Sequence, residues 1–122
     1  MASFGKTSRQ RLSEIHPDLR KVLEIAIIEF DFTVLCGHRG EAEQNKANDE
    51  GKSGLRYPNS KHNKKPSRAV DIAPWPIDWN NIERFEEMKR VVFTAAHALG
   101  IELVWGGDWV RLKDCPHFEL KG

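Results

Sequence analysis

The sequence predicts a single α+β domain in which helices pack on a small, mostly antiparallel sheet. Three observations support this prediction. Helical and strand-like patterns are mixed along the chain, and the segments between the last strand patterns are too short for parallel crossovers. The length of 122 residues suits one hydrophobic core and not two. A composition of 39% hydrophobic and 30% charged residues is typical of a globular protein.

The first half of the chain contains signals for a helix, a strand and a second helix. Its predicted elements are, in order, a polar lead-in (1–16), a helix (17–30), a strand (32–36), a glycine-flanked break (37–40) and a short polar helix (41–50). Pro17 suits a first helical position, and apolar residues then recur at three- and four-residue spacing. The strand is apolar and β-branched, and Gly51 is a natural end for the polar helix.

The second half begins with a long polar loop. Its predicted elements are, in order, a loop (51–67), a strand (68–73), a helix (82–99), a strand (101–105), a turn (106–107) and a strand (117–120). A loop of this length in a compact domain is often functional. Asn80 or Asn81 can cap the helix, an apolar stripe follows its 3.6-residue period, and Gly100 can end it.

The charge balance argues against several classes of partner. Nineteen Lys and Arg against eighteen Asp and Glu give a net charge of +1, which predicts neither nucleic-acid binding nor stable membrane association. No apolar run could span a bilayer, and the N-terminus lacks the apolar core of a secretory signal, so we expect synthesis in the cytoplasm. Cys36 and Cys115 are predicted to be free thiols. We expect a monomer.

Three separated residues form a candidate metal site. In the strand 68–73, Val70 and Ile72 would face the core and Asp71 the opposite side. The same alternation in 117–120 turns His117 away from the core, and His62 lies in the long loop. Each residue alone could equally be an ordinary surface side chain. Together, two imidazoles and one carboxylate suit a catalytic zinc ion that keeps a fourth position open.

Two further residues could complete a hydrolytic centre. Asp114 lies three residues before His117 and could accept a proton from a water molecule and pass it to a leaving amine. Glu119, on the predicted His117 face, is the rival base. Arg39, between Gly37 and Gly40, could stabilise an oxyanion or bind a substrate carboxylate, although a solvated arginine in a turn fits the local pattern equally well.

Three strings of residues resemble a known family. Ser-Lys-His-Asn-Lys-Lys-Pro-Ser-Arg-Ala-Val-Asp-Ile-Ala-Pro (60–74), Trp-Gly-Gly-Asp-Trp (105–109) and Asp-Cys-Pro-His-Phe-Glu-Leu (114–120) are similar, in content and order, to the phage-endolysin branch of the VanY-like D-alanyl-D-alanine carboxypeptidases. Within that branch the chain most resembles L-alanyl-D-glutamate endopeptidases. The resemblance covers about residues 17–120 and implies the zinc-peptidase fold shared by hedgehog domains and DD-peptidases.

The resemblance implies a role for each candidate residue. It makes His62, Asp71 and His117 zinc ligands, Asp114 the acid/base and Arg39 the group that stabilises the transition state. The substrate or supporting contacts that it implies are Ser60, Gln44 and Trp109. Many relatives separate the first histidine and the aspartate by seven residues with a glycine between them; here the separation is nine, as in a subgroup, with Pro66 and Ser67 in place of the glycine.

The resemblance therefore implies a zinc-dependent hydrolase of the peptidoglycan stem peptide. It implies one catalytic domain without a separate wall-binding domain. It also implies synthesis in the host cytoplasm and passage to the periplasm and cell wall with the help of a separate holin-type protein. Three alternatives stay open: a D-alanyl-D-alanine carboxypeptidase, a non-catalytic zinc-binding module of the same fold, and a metal-dependent nuclease. Asp114 argues against the second, and the charge balance against the third.

Overall fold

The computed structural model describes residues 2–122 and contains a four-stranded sheet with strand order β1-β2-β4-β3. The elements of these residues are α1 (Lys6–Leu12), α2 (Pro17–Glu29), β1 (Phe32–Cys36), α3 (Glu41–Asp49), β2 (Ala69–Pro74), α4 (Ile82–Leu99), β3 (Leu103–Trp105) and β4 (His117–Leu120), with two 3₁₀ turns at Lys61–Asn63 and Gly106–Asp108. All three strand pairs are antiparallel, which confirms the predicted α+β class.

One hydrophobic core joins the sheet to the two long helices. Helices α2 and α4 pack against each other, and α4 also packs on β2 and β3. The alternation predicted for β2 and β4 is confirmed, because Val70, Ile72 and Phe118 are fully buried in this core. Asp71, His117 and Glu119 take the intervening positions, so they are carried by the opposite face of the sheet.

Three predicted helix ends, the start of α2 and both ends of α4, are confirmed by their capping groups, whereas α2 and α3 each end one residue earlier than predicted. His16 Nδ1 accepts the backbone N–H of Asp18 at 3.1 Å, immediately before Pro17 opens α2. At the start of α4 the side chain of Asn81 accepts the backbone N–H of Arg84. Gly100 ends α4 with a φ of 71°, a left-handed conformation that favours glycine.

The lead-in differs from its prediction, because residues 6–12 form a helix. The helix α1 is only seven residues long, too short for a helical period to be recognised. Its stability comes from tertiary contacts: Leu12 is buried in the core, and Ser8 Oγ accepts the backbone N–H of Val34 in β1 at 3.0 Å. The packing of α1 on β1 therefore decides this element.

The long loop is also more ordered than its composition indicates. Ser67 is fully buried, its N–H donates to the carbonyl of Glu14 at 2.9 Å, and its hydroxyl donates to the carbonyl of Ala69 at 2.7 Å. These bonds fix the segment that carries the longer histidine-to-aspartate spacing. Strand β3 begins at Leu103 and not at residue 101, because the N–H of Ile101 still closes the end of α4 on the carbonyl of Ala96.

The helices of residues 2–122 include none whose length and apolar character would let it cross a bilayer.

Candidate active site

Strand pairing and one turn bring the three predicted metal ligands together. Asp71 in β2 lies directly opposite His117 in β4, so both side chains project from the same face of the sheet. The 3₁₀ turn Lys61–Asn63 adds His62 from the long loop. Among the described residues these three form the one group whose nitrogen and oxygen atoms could hold a metal ion, all within 4.8 Å of one another.

The spacing of the donor atoms fits a tetrahedral zinc ion. Asp71 Oδ1 lies 3.2 Å from His62 Nε2 and 3.2 Å from His117 Nδ1. Two atoms bound to one zinc ion at about 2.0–2.1 Å and at the tetrahedral angle are about 3.3 Å apart. Two neutral imidazoles and one carboxylate would leave the fourth position free, as in catalytic sites. The donor set and its geometry therefore suit a catalytic zinc.

In both histidines, the ring nitrogen that faces away from Asp71 (the outer nitrogen) has a hydrogen-bond acceptor. His62 Nδ1 donates to the carbonyl oxygen of Gly37 at 2.8 Å, and His117 Nε2 donates to Glu119 Oε1 at 2.8 Å. With a proton held on each of those nitrogens, His62 Nε2 and His117 Nδ1, which face Asp71, are the nitrogens left to bind a cation when the rings are neutral. Such acceptors fix the tautomer and the ring orientation of metal-binding histidines.

The pKa values of the three candidate ligands reflect the short distances between their side chains. Burial alone would lower the pKa of His62, but the hydrogen bonds and negative charges of Asp71 and Cys36 together outweigh it and raise this pKa to about 10. The pKa of His117 is also raised, since its bonds to Asp71 and Glu119 outweigh burial. Burial would raise the pKa of Asp71, but the bonds from the two histidines lower it. Protons bound here would compete with a metal cation.

Asp114 faces the same cleft as the candidate ligands. Asp114 lines this cleft, and burial, reinforced by the negative charge of Asp71, raises its pKa. The backbone N–H of Asp114 donates to the carbonyl of Gly106 at 2.9 Å, and the N–H of His117 donates to the carbonyl of Asp114 at 3.1 Å. The segment that carries the candidate base is thus tied to the segment that carries a candidate ligand.

Glycine is required at position 106 for this packing. A Cβ atom there would overlap the carbonyl oxygen of Asp114 and would lie 3.0 Å from the Cβ atoms of both Asp114 and His117. The close approach of the Gly106–Asp108 turn to the segment 114–117 therefore depends on the missing side chain.

Arg39 reaches the site and is held from two sides. Its guanidinium donates to Asp71 Oδ2 at 3.3 Å and to Gln44 Oε1 at 3.1 Å. Its backbone N–H donates to the carbonyl of His62 at 2.9 Å, and its carbonyl accepts the side-chain amide of Asn63 at 2.9 Å. Arg39 thus bonds to Asp71 Oδ2, while the other carboxylate oxygen, Oδ1, faces the imidazoles of His62 and His117.

Gln44 supports this arginine from inside the protein. The side chain is fully buried, and its amide nitrogen donates to Ser53 Oγ at 3.0 Å and to the carbonyl of Leu55 at 2.6 Å. Its oxygen accepts from Arg39 and from Asn63. Of the two roles that the resemblance implies, this arrangement favours a supporting contact over direct contact with substrate.

Ser60 and Trp109 adjoin the two histidines. Ser60 Oγ accepts the backbone N–H of His62 at 3.3 Å, and Asn63 Oδ1 accepts the N–H of Ser60 at 3.0 Å, so a capping box holds the turn that carries His62. The ring of Trp109 lies 4.9 Å from that of His117, centroid to centroid. Both residues also line the cleft, where they could contact a substrate.

The site forms the floor of a cleft of about 770 Å³, a volume that suits a peptide-sized ligand. The cleft is also lined by residues of α3 and of the loop after it, and by Trp109, Arg111 and Leu112. The lining residues that sequence reasoning did not single out are Glu43, Lys46, Ala47, Glu50, Lys52, Ser53, Gly54, Leu55, Asn59, Arg111 and Leu112. They carry no local motif, so only the folded chain brings them to the cleft.

Three supporting residues were also missed or assigned another role. Gly37 supplies the carbonyl that holds His62, and Lys61 donates to Glu119 Oε2 at 3.0 Å. Glu119 was predicted as the rival base, but both of its oxygens are engaged, one by His117 and the other by Lys61. These bonds outweigh burial and lower the pKa of Glu119. The one sequence signal that Glu119 lies near His117 was its position two residues later in β4, which puts both side chains on the same face of the strand.

Comparison with known proteins adds three similarities. The family model described as phage L-alanyl-D-glutamate peptidase matches residues 1–120. The L-alanyl-D-glutamate peptidase of Escherichia phage T5 is 39% identical over 125 residues, which cover 97% of this chain and 88% of that protein. The crystal structure of the Serratia marcescens L-Ala D-Glu endopeptidase ChiX superimposes with a TM-score of 0.84 and 32% identity, covering 97% of this chain and 89% of that one.

Proposed function

This chain belongs to the phage L-alanyl-D-glutamate peptidase family, and from that membership we propose that it is a zinc-dependent endolysin. It hydrolyses the amide bond between L-alanine and D-glutamate in the stem peptide of peptidoglycan. The observation that carries the zinc part of the proposal is the position of Asp71 Oδ1, 3.2 Å from one nitrogen of each histidine, on the floor of an open cleft.

The ligand set proposed for the zinc ion is His62, Asp71 and His117. When bound, zinc would polarise the scissile carbonyl and lower the pKa of a water molecule toward neutrality. The acceptors on the outer ring nitrogens hold both imidazoles in the tautomer that binds a cation.

Asp114 is the proposed general base and acid. It takes a proton from the attacking water as the C–O bond forms at the L-alanine carbonyl carbon. It then donates that proton to the D-glutamate nitrogen as the C–N bond breaks. Its raised pKa, caused by burial and by the neighbouring Asp71, suits a group that must both accept and return a proton.

Arg39 is proposed to donate to the oxyanion that develops on the scissile carbonyl. The planar guanidinium has five N–H donors, and the bonds to Gln44 and Asp71 hold it in place before substrate arrives. A donor fixed in advance needs little reorganisation during the reaction. Trp109 and Ser60 are proposed as substrate contacts, because both line the cleft beside the histidines.

Digestion of purified peptidoglycan tests the bond that is cut. Mass spectrometry should identify released peptides that begin with D-glutamate, and glycan strands that retain only L-alanine. Asp114→Asn, assayed beside the wild type, should keep its zinc and lose about 10²–10⁴-fold in rate. Release of free D-alanine alone would replace this proposal with the D-alanyl-D-alanine carboxypeptidase. Stoichiometric zinc without any product would instead favour a non-catalytic module.

We propose that residues 1–120 form one catalytic domain, and that the protein works as a monomer released from the host cytoplasm by a separate holin-type protein. The family match over residues 1–120 supports one catalytic domain, and the phage origin named for the family supports a role in lysis. Clearing of bacteria whose membranes have been permeabilised, with no clearing of intact cells, would agree with this route. Clearing of intact cells by the protein alone would contradict it.

A further inference from the structure

The side chains of Glu119 and Lys61, beside the candidate metal site, form a series of hydrogen bonds that has no part in the reaction proposed above. Glu119 Oε1 accepts the Nε2 proton of His117 at 2.8 Å, and Glu119 Oε2 is 3.0 Å from Lys61 Nζ. Lys61 Nζ also donates to the carbonyl of Leu120 at 2.6 Å. The side chains of Glu119 and Lys61 are 17% and 27% exposed, so water screens this ion pair only in part.

The two candidate histidine ligands are held by acceptors of different strength. His62 donates to a neutral backbone carbonyl, whereas His117 donates to a carboxylate. A carboxylate acceptor binds the ring proton more strongly and makes the opposite nitrogen a better donor to a cation. The orientation of His117 therefore depends on one side chain that can be substituted, while the orientation of His62 depends on the backbone.

Lys61 connects the two ligand-bearing segments. It precedes His62 in the 3₁₀ turn, and it reaches across to two consecutive residues of β4, Glu119 and Leu120. Its ammonium group limits the rotation of the Glu119 carboxylate and leaves Oε1 facing His117. Because both carboxylate oxygens have partners, Glu119 is not free to take a proton from a water molecule in the cleft.

We propose that Glu119, held by Lys61, is a positioning residue that fixes His117 with Nδ1 toward the metal ion. This inference rests on the proposed zinc site. It predicts that Glu119 controls metal affinity through the ring of His117, and that Asp114 alone supplies the base.

The test measures zinc affinity and activity separately for matched variants. Zinc dissociation constants come from competition with a chromogenic chelator, and kcat and KM are measured at saturating zinc. The variants are Glu119→Ala, Glu119→Gln, Lys61→Met and Asp114→Asn, with Glu102→Gln as the control for an exposed carboxylate paired with a lysine. Glu102 lies 3.5 Å from Lys121 Nζ at the surface.

Glu119→Ala should weaken zinc binding by about 10–100-fold, the usual effect of removing a group that orients a metal ligand. Glu119→Gln, which keeps an acceptor oxygen, should recover part of this affinity, and Lys61→Met should show a smaller loss than Glu119→Ala. Saturating zinc should restore most of the kcat of all three. Asp114→Asn should behave in the opposite way, with normal zinc affinity and low kcat. Glu102→Gln should match the wild type.

Two spectroscopic readouts do not depend on activity. With cobalt in place of zinc, the visible spectrum of Glu119→Ala should change because the His117 ring is no longer held. In the zinc-loaded wild type, imidazole nitrogen NMR should place the proton of His117 on Nε2. A proton on Nδ1 would overturn the proposal, and so would unchanged zinc affinity in Glu119→Ala with lost kcat, which would make Glu119 the base.

The two proposals fail in distinguishable ways. If wild-type protein binds no zinc, the proposed function is wrong whatever Glu119 does. If the wild type binds zinc and every Glu119 and Lys61 variant binds it equally well, the zinc site stands and the positioning role is wrong. If Glu119→Ala does not fold, Glu119→Gln and Lys61→Met still decide the question through their zinc affinities.

Discussion

Replacing Gly106 with alanine should damage the candidate active site more than its single added methyl group would suggest. The new Cβ would overlap the Asp114 carbonyl oxygen and would lie 3.0 Å from the Cβ atoms of Asp114 and His117. Carbon atoms in ordinary contact are about 3.5–4.0 Å apart. The segment that carries the base and a metal ligand must therefore move by about 0.5–1 Å relative to the turn.

The expected effect on catalysis exceeds the effect on stability. Overpacking of this kind costs about 1–3 kcal/mol, which at this chain length lowers Tm by about 4–12 °C. A displacement of about 1 Å at a reacting centre can reduce the rate by about 100-fold. We expect Gly106→Ala to remain folded at 25 °C, with kcat/KM on peptidoglycan fragments reduced about 100-fold.

The assay combines thermal unfolding, zinc content and release of peptides from purified peptidoglycan. Gly5→Ala is the matched control, since no heavy atom lies within 4 Å of the Cβ that it adds, and it should resemble the wild type in all three measurements. If Gly106→Ala keeps wild-type kcat/KM and Tm, the close packing of the turn on the segment 114–117 does not position the site, and the reasoning is refuted.

Three further predictions concern the metal and the support of Arg39. Chelation should abolish activity, and added zinc should restore it; activity that survives complete metal removal would contradict the zinc mechanism. Zinc binding at pH 7 should release about one to two protons, because in the metal-free protein the pKa of His62 is raised to about 10 and the pKa of His117 is raised as well. The apparent affinity for zinc should accordingly rise with pH up to the pKa of His62. Calorimetry in buffers of different ionisation enthalpy would detect the released protons. Binding heats that do not depend on the buffer would exclude their release. Gln44→Leu should lower the free energy of unfolding by about 1–3 kcal/mol for each partner left unpaired, which thermal unfolding would detect. The same variant should retain zinc and show a lower kcat/KM. An unchanged kcat/KM would show that Arg39 needs no such support.

Much of the site could be predicted from the sequence because its signals are local. Alternation along β2 and β4 predicts that Asp71 and His117 lie on the face away from the core, whereas their position directly opposite each other came only with the strand register of the structure. The motifs around His62 and Asp114 identified the family, which the comparisons confirm. The catalytic roles of these residues stay predictions that the experiments above address.

The parts that could not be predicted depend on contacts between distant segments. Helix α1 is too short to show a period and forms where Leu12 and Ser8 meet β1 and the core. Gln44 lies in a polar helix whose sequence gives no reason for burial, yet its side chain is fully enclosed by the loop after α3 and by Arg39.

The sequence by itself determined the fold class, the family, and the residue types available to bind a metal and move a proton. The tertiary structure decided which atoms of those residues meet in the candidate site. The carbonyl of Gly37, 25 positions from His62, and the pair formed by Glu119 and Lys61 select the ring nitrogen that faces Asp71. A histidine offers two nitrogens that periodicity cannot distinguish, because the choice depends on the acceptor that folding places beside each one.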